Sequence, residues 1–238
     1  QVWKDYLSMA GKLRLDVYDS IIYRASDLQR RHSEAVIQME EKKKEIRRRE
    51  LEEKYVGFQE QLIALKEKYE FSAGEYQIVA PKSIDDILYE GDTLHHCVNK
   101  TDNYFDRIAS KESYILFLRK KENPEVPFYT LEVEPNGTIR QKRAEFDRQN
   151  KDIDEVTSFL TLWQKEIQKR LTKKDYMSAE KSRKLRQRKY QEVRDQHIVV
   201  HGGEFAGKLL ADLLEKDLMG IPLEDSEKNE ERLSLMVA

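Results

Sequence analysis

Cysteine is nearly absent. The one residue, Cys97, excludes an internal disulfide framework and a cysteine-rich zinc site. It fits a reducing compartment, so a cytoplasmic location is expected. Proline and glycine are scarce, five and nine in 238 residues, which excludes collagen-like and proline-rich disordered chains. No run of about 18 apolar residues occurs, so no transmembrane helix and no membrane partner are expected. No signal-peptide pattern opens the chain. An excess charge of one sign is missing too: 43 Lys and Arg stand against 45 Asp and Glu, for a net −2. Apolar residues make up 39% and charged residues 37%, against roughly 45–50% and 25% in an ordinary domain. That balance suits long exposed helices beside one modest core.

The balanced net charge hides strong segregation. Between Lys165 and Tyr190 eleven basic residues face three acids. Between Asp212 and Glu231 eight acids face two lysines. The basic stretch has the electrostatics to hold polyanions, or the acidic stretch folds onto it. Lys173, Lys174, Lys181, Arg183, Lys184, Arg186, Arg188 and Lys189 are its candidate nucleic-acid contacts.

Tyr6-Leu7, Leu13, Val17 and Ile21-Ile22 recur at near-helical spacing, and Glu40 to Lys54 is almost wholly charged. Pairs such as Glu40–Lys44 and Glu45–Arg49 support an exposed helix at ~0.2–0.5 kcal/mol each. Residues 1–70 therefore read as a helical arm, either solvated or offered to a protein partner. The texture then changes. Gly74 to Ala80 reads as a short strand, Ser83 as the cap of a helix that Gly91 breaks, and Thr101 or Asp102 as the cap of the next. Ser113 to Arg119 and Phe128 to Glu134 alternate with period two, and Pro135-Asn136-Gly137 signals a hairpin into Thr138–Phe146. Strict alternation groups Thr130, Glu132 and Glu134 on one face. In the third strand it groups Arg140 with Thr138 and Lys142, and Gln141 with Ile139 and Arg143. Ile153, Val156, Phe159, Leu160, Trp163 and Ile167 have the spacing of a covering helix. A basic helix runs to about Arg194, and Ile198-Val199-Val200 is a candidate short strand. The fold class is α+β: a long helical N-terminal arm, a small antiparallel β-meander packed with helices (71–171), and a helical C-terminal extension (172–238).

Glu90-Gly91-Asp92-Thr93-Leu94-His95-His96-Cys97-Val98 fits a motif close to E-G-x-x-L-H-H-C-V. Tyr104 and Ile108 follow it, then a strand ending in Arg119. Pro127 and Thr130-Leu131-Glu132 stand as P-x-x-T-x-E, with Gln141 in the third strand, Asn150 after it and Trp163 in the next helix. This order resembles the PcfJ-like family of conjugative plasmids, phages and other mobile elements, most strongly over residues 75–170. The resemblance implies a mobile-element context and carries no known reaction.

The motif collects unlike polar groups on consecutive short elements. Adjacent His95 and His96 must diverge, so one of them is expected to meet Arg119, Glu132 and Gln141 in a pocket lined by Tyr104. His95, His96 and Glu132 are the candidate catalytic residues. Tyr104, Arg119, Thr130, Gln141, Arg143 and Asn150 are the candidate ligand contacts. The plainer alternatives are packed histidines and a solvated polar strand face. Cys97, between Leu94 and Val98, reads as a small buried residue rather than a nucleophile. His32, His197 and His201 show no metal spacing with the pair, so no metal is expected, and the sequence names no cofactor. The first functional reading is a nucleic-acid-associated accessory factor of a mobile element, with DNA or RNA as partner. The alternatives are an enzyme acting on a nucleotide, NAD or RNA through the histidines and Glu132, and a protein-interaction module using the arm.

Overall fold

The computed structural model describes residues 1–147, 153–203 and 205–219 of the chain, leaving aside the side chains of residues 147, 153–155 and 216–219. It divides into two units, Gln1–Val56 and the part from Gly57 onward. The arm expected to run to residue 70 is thus interrupted: one helix ends at Lys54, and Gly57, with φ +78, caps the start of the next.

The first unit is a folded-back helical hairpin. α1 (Val2–Lys12) packs along α3 (Leu28–Lys54), with the short α2 (Ser20–Tyr23) between them. Asp27 caps α3 by accepting from the Arg30 N–H at 3.1 Å. Tyr6, Ala10 and Ala35 are buried. Trp3 meets Tyr23 edge to face at 5.1 Å and donates its indole N–H to the Tyr23 carbonyl. The charged middle of α3 is held by local pairs, Glu45 with Arg49 and Arg48 at 2.7 Å each. The arm is therefore a helix pair rather than one solvated rod.

The second unit is built on a five-stranded antiparallel meander in the order β1-β2-β3-β4-β5. After α4 (Phe58–Tyr69), β1 (Phe71–Ala73), which was not expected, and β2 (Tyr76–Val79), the short strand that was, form a hairpin beside the expected meander of β3 (Tyr114–Lys120), β4 (Tyr129–Val133) and β5 (Ile139–Arg143). One face is apolar. Tyr76, Ile78, Tyr114, Leu116, Leu118, Tyr129, Leu131 and Val133 line it and are all buried. α7 (Ile153–Ile167) covers it, as its spacing predicts. Phe159 packs on Tyr76 and Phe71, and Trp163 is fully buried and donates to the Tyr69 carbonyl at 2.8 Å. Gly137, at φ +87, makes the β4–β5 turn, and a Cβ there would sit 2.6 Å from Ile167.

The other face bears the polar side chains Arg119, Thr130 and Glu132 beside buried Ile115 and Phe117, and carries α5 (Ile84–Thr93), a 3-10 turn (Cys97–Asn99) and α6 (Asn103–Ala109). Ser83 caps α5 as expected, accepting from Asp86 N–H at 3.3 Å. Gly91 does not break α5 but lies inside it, because the Asn99 side chain occupies the place of a Cβ, 2.6 Å away. This close approach pins the 3-10 turn to the helix. α8 (Lys173–Asp195), started by a Thr172/Asp175 capping box, buries Asp175, Tyr176, Ala179, Ser182 and Arg186 at helical spacing. α9 (Leu210–Met219) packs on α8 and β5. Ile198–Val200 forms no strand of its own; Val199 makes a single bridge to Leu209. The acidic residues after Met219 lie outside the described residues; Asp212 and Glu215 of α9 are exposed.

Candidate functional site

The polar sheet face is a ladder of charges set by register. Thr130 pairs with Phe117 and Arg143, and Glu132 with Ile115 and Gln141. Glu90 comes down from α5 onto this ladder, fully buried. It takes two bonds from Arg119, one at 3.0 Å, and a third from the Thr130 hydroxyl at 2.9 Å. Thr130 therefore spends its only proton on Glu90, so its oxygen must accept from His96 Nε2, 2.8 Å away. The geometry thus assigns the Nε2–H tautomer to His96, and a chain runs from Arg119 through Glu90 and Thr130 to the imidazole.

The two histidines do diverge. His95 has φ +54, a left-handed conformation costing a non-glycine residue ~1–2 kcal/mol. It turns the chain between α5 and the 3-10 turn, leaving His95 exposed and His96 4% exposed. The His95 ring stacks on Phe146, itself at φ +55, with centroids 4.8 Å apart.

A second charge cluster adjoins the first. Ser113, Arg107 and Arg140 donate to the same Glu132 oxygen, Oε1, at 2.6, 3.0 and 3.0 Å. None of the described residues bonds Oε2. Arg140 also reaches Glu134 at 3.1 Å and Glu112 at 3.2 Å, and Arg186 of α8 pairs with Glu134. Strict alternation would have put Arg140 on the face away from Gln141. A β-bulge at Glu132/Val133 corrects that expectation: Val133 pairs with Ile139, and the extra residue, Arg140, turns in among the carboxylates.

These surroundings push two buried glutamates in opposite directions. Burial raises Glu90, and one guanidinium and one hydroxyl do not overcome it. Burial also acts to raise Glu132, but Arg107 and Arg140 outweigh it and hold the carboxyl below its ordinary value. Glu132 is therefore an ionised acceptor and a weak base. Burial raises the Tyr104 hydroxyl, which lies 3.6 Å from Cys97 Sγ.

A cavity of about 20 Å³ is walled by His96, Cys97, Tyr104, Thr130, Glu132, Gln141 and Arg143 among others. That is room for about one water. A larger one of about 170 Å³ lies beside Arg107, Glu112, Glu132, Arg140, Gln141, Arg186, Lys189 and Leu214. Glu132 and Gln141 belong to both walls. The structure thus brings His96, Tyr104, Thr130, Glu132, Gln141 and Arg143 together. His95 is not among the wall residues, and Asn150 lies outside the described residues. Arg119 lines neither cavity: it is 5% exposed and is spent on Glu90. Cys97, expected buried, is exposed. Glu132, whose plainer reading was a solvated carboxylate, is 3% exposed. Of the α8 cations, Arg186 is 4% exposed and tied to Glu134, so it is a structural ion-pair member rather than a surface contact. The other seven are exposed, with Arg183 and Lys184 sharing Glu180.

Sequence reading missed Glu90, Arg107, Ser113, Glu134 and Arg140. Glu90 stood in the motif without a role. Arg107, one helical turn after Tyr104 and 5.3 Å over its ring, had a spacing signal. Ser113 and Arg140 had none. Among the described residues no group of His, Cys, Asp and Glu side chains is placed to hold a metal ion, and no helix is long and apolar enough to cross a membrane.

Comparison with known proteins covers this site. An uncharacterized protein of Listeria innocua, Lin1253/Lin1744, is 28% identical over 140 residues, which is 59% of this chain and 29% of that relative. The chain thus spans less than a third of its relative's length. No solved structure matches. The PcfJ-like protein family matches residues 2–157, from α1 through the start of α7 and including every wall residue of the smaller cavity. The chain belongs to the PcfJ-like family.

Proposed function

We propose that this PcfJ-like protein is a nucleic-acid-associated accessory factor of a mobile element, acting in conjugation or in phage or plasmid biology. In this reading it lays a DNA or RNA backbone along α8 and brings part of it to the pocket on the polar sheet face. One observation carries the reading. Of the exposed cations along α8, Lys189 stands at the wall of the larger cavity with Glu132 and Gln141. Phosphates spaced along the helix would be attracted without sequence readout. The family match ends before α8, so on this reading the polyanion track is supplied from outside the matched stretch.

The test is fluorescence anisotropy with labelled single- and double-stranded DNA and RNA across a salt series. Lys181→Glu, Lys184→Glu and Arg188→Glu together are expected to weaken binding strongly. They should also reduce the slope of log K against log salt by about two for a single strand. An unaltered slope, or no binding by the wild type at low salt, removes the reading.

A second reading, an enzyme acting on a nucleotide, NAD or RNA, draws on the Arg119–Glu90–Thr130–His96 chain. That chain orients an imidazole beside an ionised carboxylate, an arrangement suited to moving a proton at a bound ligand. Glu132→Gln and His96→Ala would then abolish turnover in protein that circular dichroism shows still folded at the assay temperature, although Glu132→Gln lowers the melting temperature by unpairing it from Arg140. Turnover retained by either folded variant would instead make these residues structural.

A further inference from the structure

The larger cavity has an unusual balance of spent and unspent groups. Three of its four cations are already engaged: Arg107 with Glu132, Arg140 with Glu132, Glu134 and Glu112, and Arg186 with Glu134. Lys189 has no carboxylate partner among the described residues and stands exposed at the wall. With Glu134 behind the wall counted, four cations meet three carboxylates, which leaves one positive charge, carried by Lys189.

Glu132 and Gln141 are also incompletely used. All three donors to Glu132 converge on Oε1, so Oε2 keeps its acceptor capacity although the residue is 3% exposed. The Gln141 amide has no hydrogen-bond partner among the described residues. The two are directly opposite across β4 and β5, which sets their Cβ atoms about 5 Å apart. An ionised carboxylate and an amide side by side accept from two neighbouring hydroxyls, and the amide can also donate. Folding draws on neither group: Oε2 takes no bond from the described residues, and the half-buried Gln141 amide makes none with them.

From these three groups we infer that the larger cavity binds a ribonucleotide. The ribose hydroxyls bond to Glu132 Oε2 and the Gln141 amide, and the phosphate lies against Lys189. The cavity, at about 170 Å³, has room for several waters and hence for a sugar phosphate. A vicinal diol is the feature that a carboxylate–amide pair reads best, and it distinguishes ribose from deoxyribose. The inference deepens the nucleic-acid reading and rests on it for the class of ligand: RNA, or a free ribonucleotide, over DNA.

The experiment is isothermal titration calorimetry of the full chain with adenosine 5′-monophosphate, 2′-deoxyadenosine 5′-monophosphate, adenosine and inorganic phosphate. The ribonucleotide is expected to bind about tenfold or more tightly than the deoxy form, the effect of one hydrogen bond to a charged acceptor. Gln141→Ala should weaken the ribonucleotide about three- to tenfold and shrink that difference. Lys189→Glu should weaken both nucleotides but not adenosine. Gln141 is half-buried without a bond to the described residues and Lys189 is exposed, so folding should persist, and circular dichroism checks it. Equal affinity for the ribo and deoxy forms, equal affinity for inorganic phosphate alone, or no ribonucleotide binding at millimolar concentration each overturns the inference. The outcomes separate it from the broader reading. Oligonucleotide binding that depends on Lys181, Lys184 and Arg188 but ignores Gln141 leaves the α8 track standing without the ribose site. Mononucleotide binding with no oligonucleotide binding leaves the ribose site without the track.

Discussion

Arg140 is the residue whose removal should test the charge ladder most sharply. Its guanidinium is 2% exposed and lies among Glu132, Glu134 and Glu112 at 3.0, 3.1 and 3.2 Å. Arg140→Met keeps much of the volume and removes the charge. Glu112 is then left with Arg107, 3.9 Å away. Glu132 keeps Arg107 and Ser113, and Glu134 keeps Arg186 and Ser182. Breaking a buried pair by removing one partner costs about 3–5 kcal/mol, because the partner charges stay buried. A whole domain is stable by only about 5–15 kcal/mol. The assay is urea unfolding followed by tryptophan fluorescence in a Trp3→Phe background, which leaves the buried Trp163 to report on the second unit alone. With a slope of about 3 kcal/mol per molar urea, the midpoint should fall by about 1–1.7 M. A double-mutant cycle with Glu134→Gln should show a coupling of about 1–3 kcal/mol. A midpoint shift under about 0.3 M, the range of an exposed salt bridge at that slope, would refute the claim that these charges are held apart from solvent.

Other outcomes follow from the same geometry. Glu132 lies below its ordinary value, so its contribution to folding is complete above about pH 4.5 and is lost as pH falls through its lower folded value; acid unfolding of Arg140→Met should start at a higher pH than in the wild type. Burial raises Glu90, so it contributes with the opposite sign: Glu90→Gln should cost least near neutral pH and more in acid, read from urea midpoints across a pH series. Gly91→Ala should destabilise by about 1–3 kcal/mol through the Asn99 contact. In an Asn99→Gly background, which removes the Asn99 Cβ at 2.7 Å as well as its amide, the same change should stabilise by up to about 1 kcal/mol, the helix preference of Ala over Gly. Nitrogen-15 NMR should find His96 with its proton on Nε2, and Thr130→Val should release that tautomer; an Nδ1–H signal in the wild type contradicts the Arg119–Glu90–Thr130–His96 chain.

Much of the fold was legible because it rests on period and punctuation. The alternation of Tyr129, Leu131 and Val133 against Thr130 and Glu132 predicts one dry and one polar sheet face, and the 3.6-residue spacing of Val156, Phe159, Leu160 and Trp163 predicts the cover. The misses have physical causes. Phe71–Ala73 is too short for alternation to register. The helix break at Gly57 was visible as a lone glycine in a charged run, a weaker signal than its φ of +78. Gly91 reads as a breaker from propensity, yet tertiary contact with Asn99 requires a residue without a side chain there.

The site divides differently. The residues that converge were found because the local motif and the strand face each supplied half of the wall: His96 and Tyr104 from one, Thr130, Glu132 and Gln141 from the other. What no local pattern could show is the bulge. By opposing one extra residue it moves Arg140 across the sheet and turns a row of carboxylates that should repel into an interleaved ladder. That change decides the chemistry of the pocket. Without Arg140, Glu132 would sit buried beside Glu134 and Glu112 with Arg107 as its one cation, an environment that favours the protonated form. With Arg140 inserted, Glu132 stays ionised at the wall of the cavity, with Oε2 unbonded among the described residues, so the acceptor on which the proposed ribose contact depends is created by a backbone irregularity one residue long.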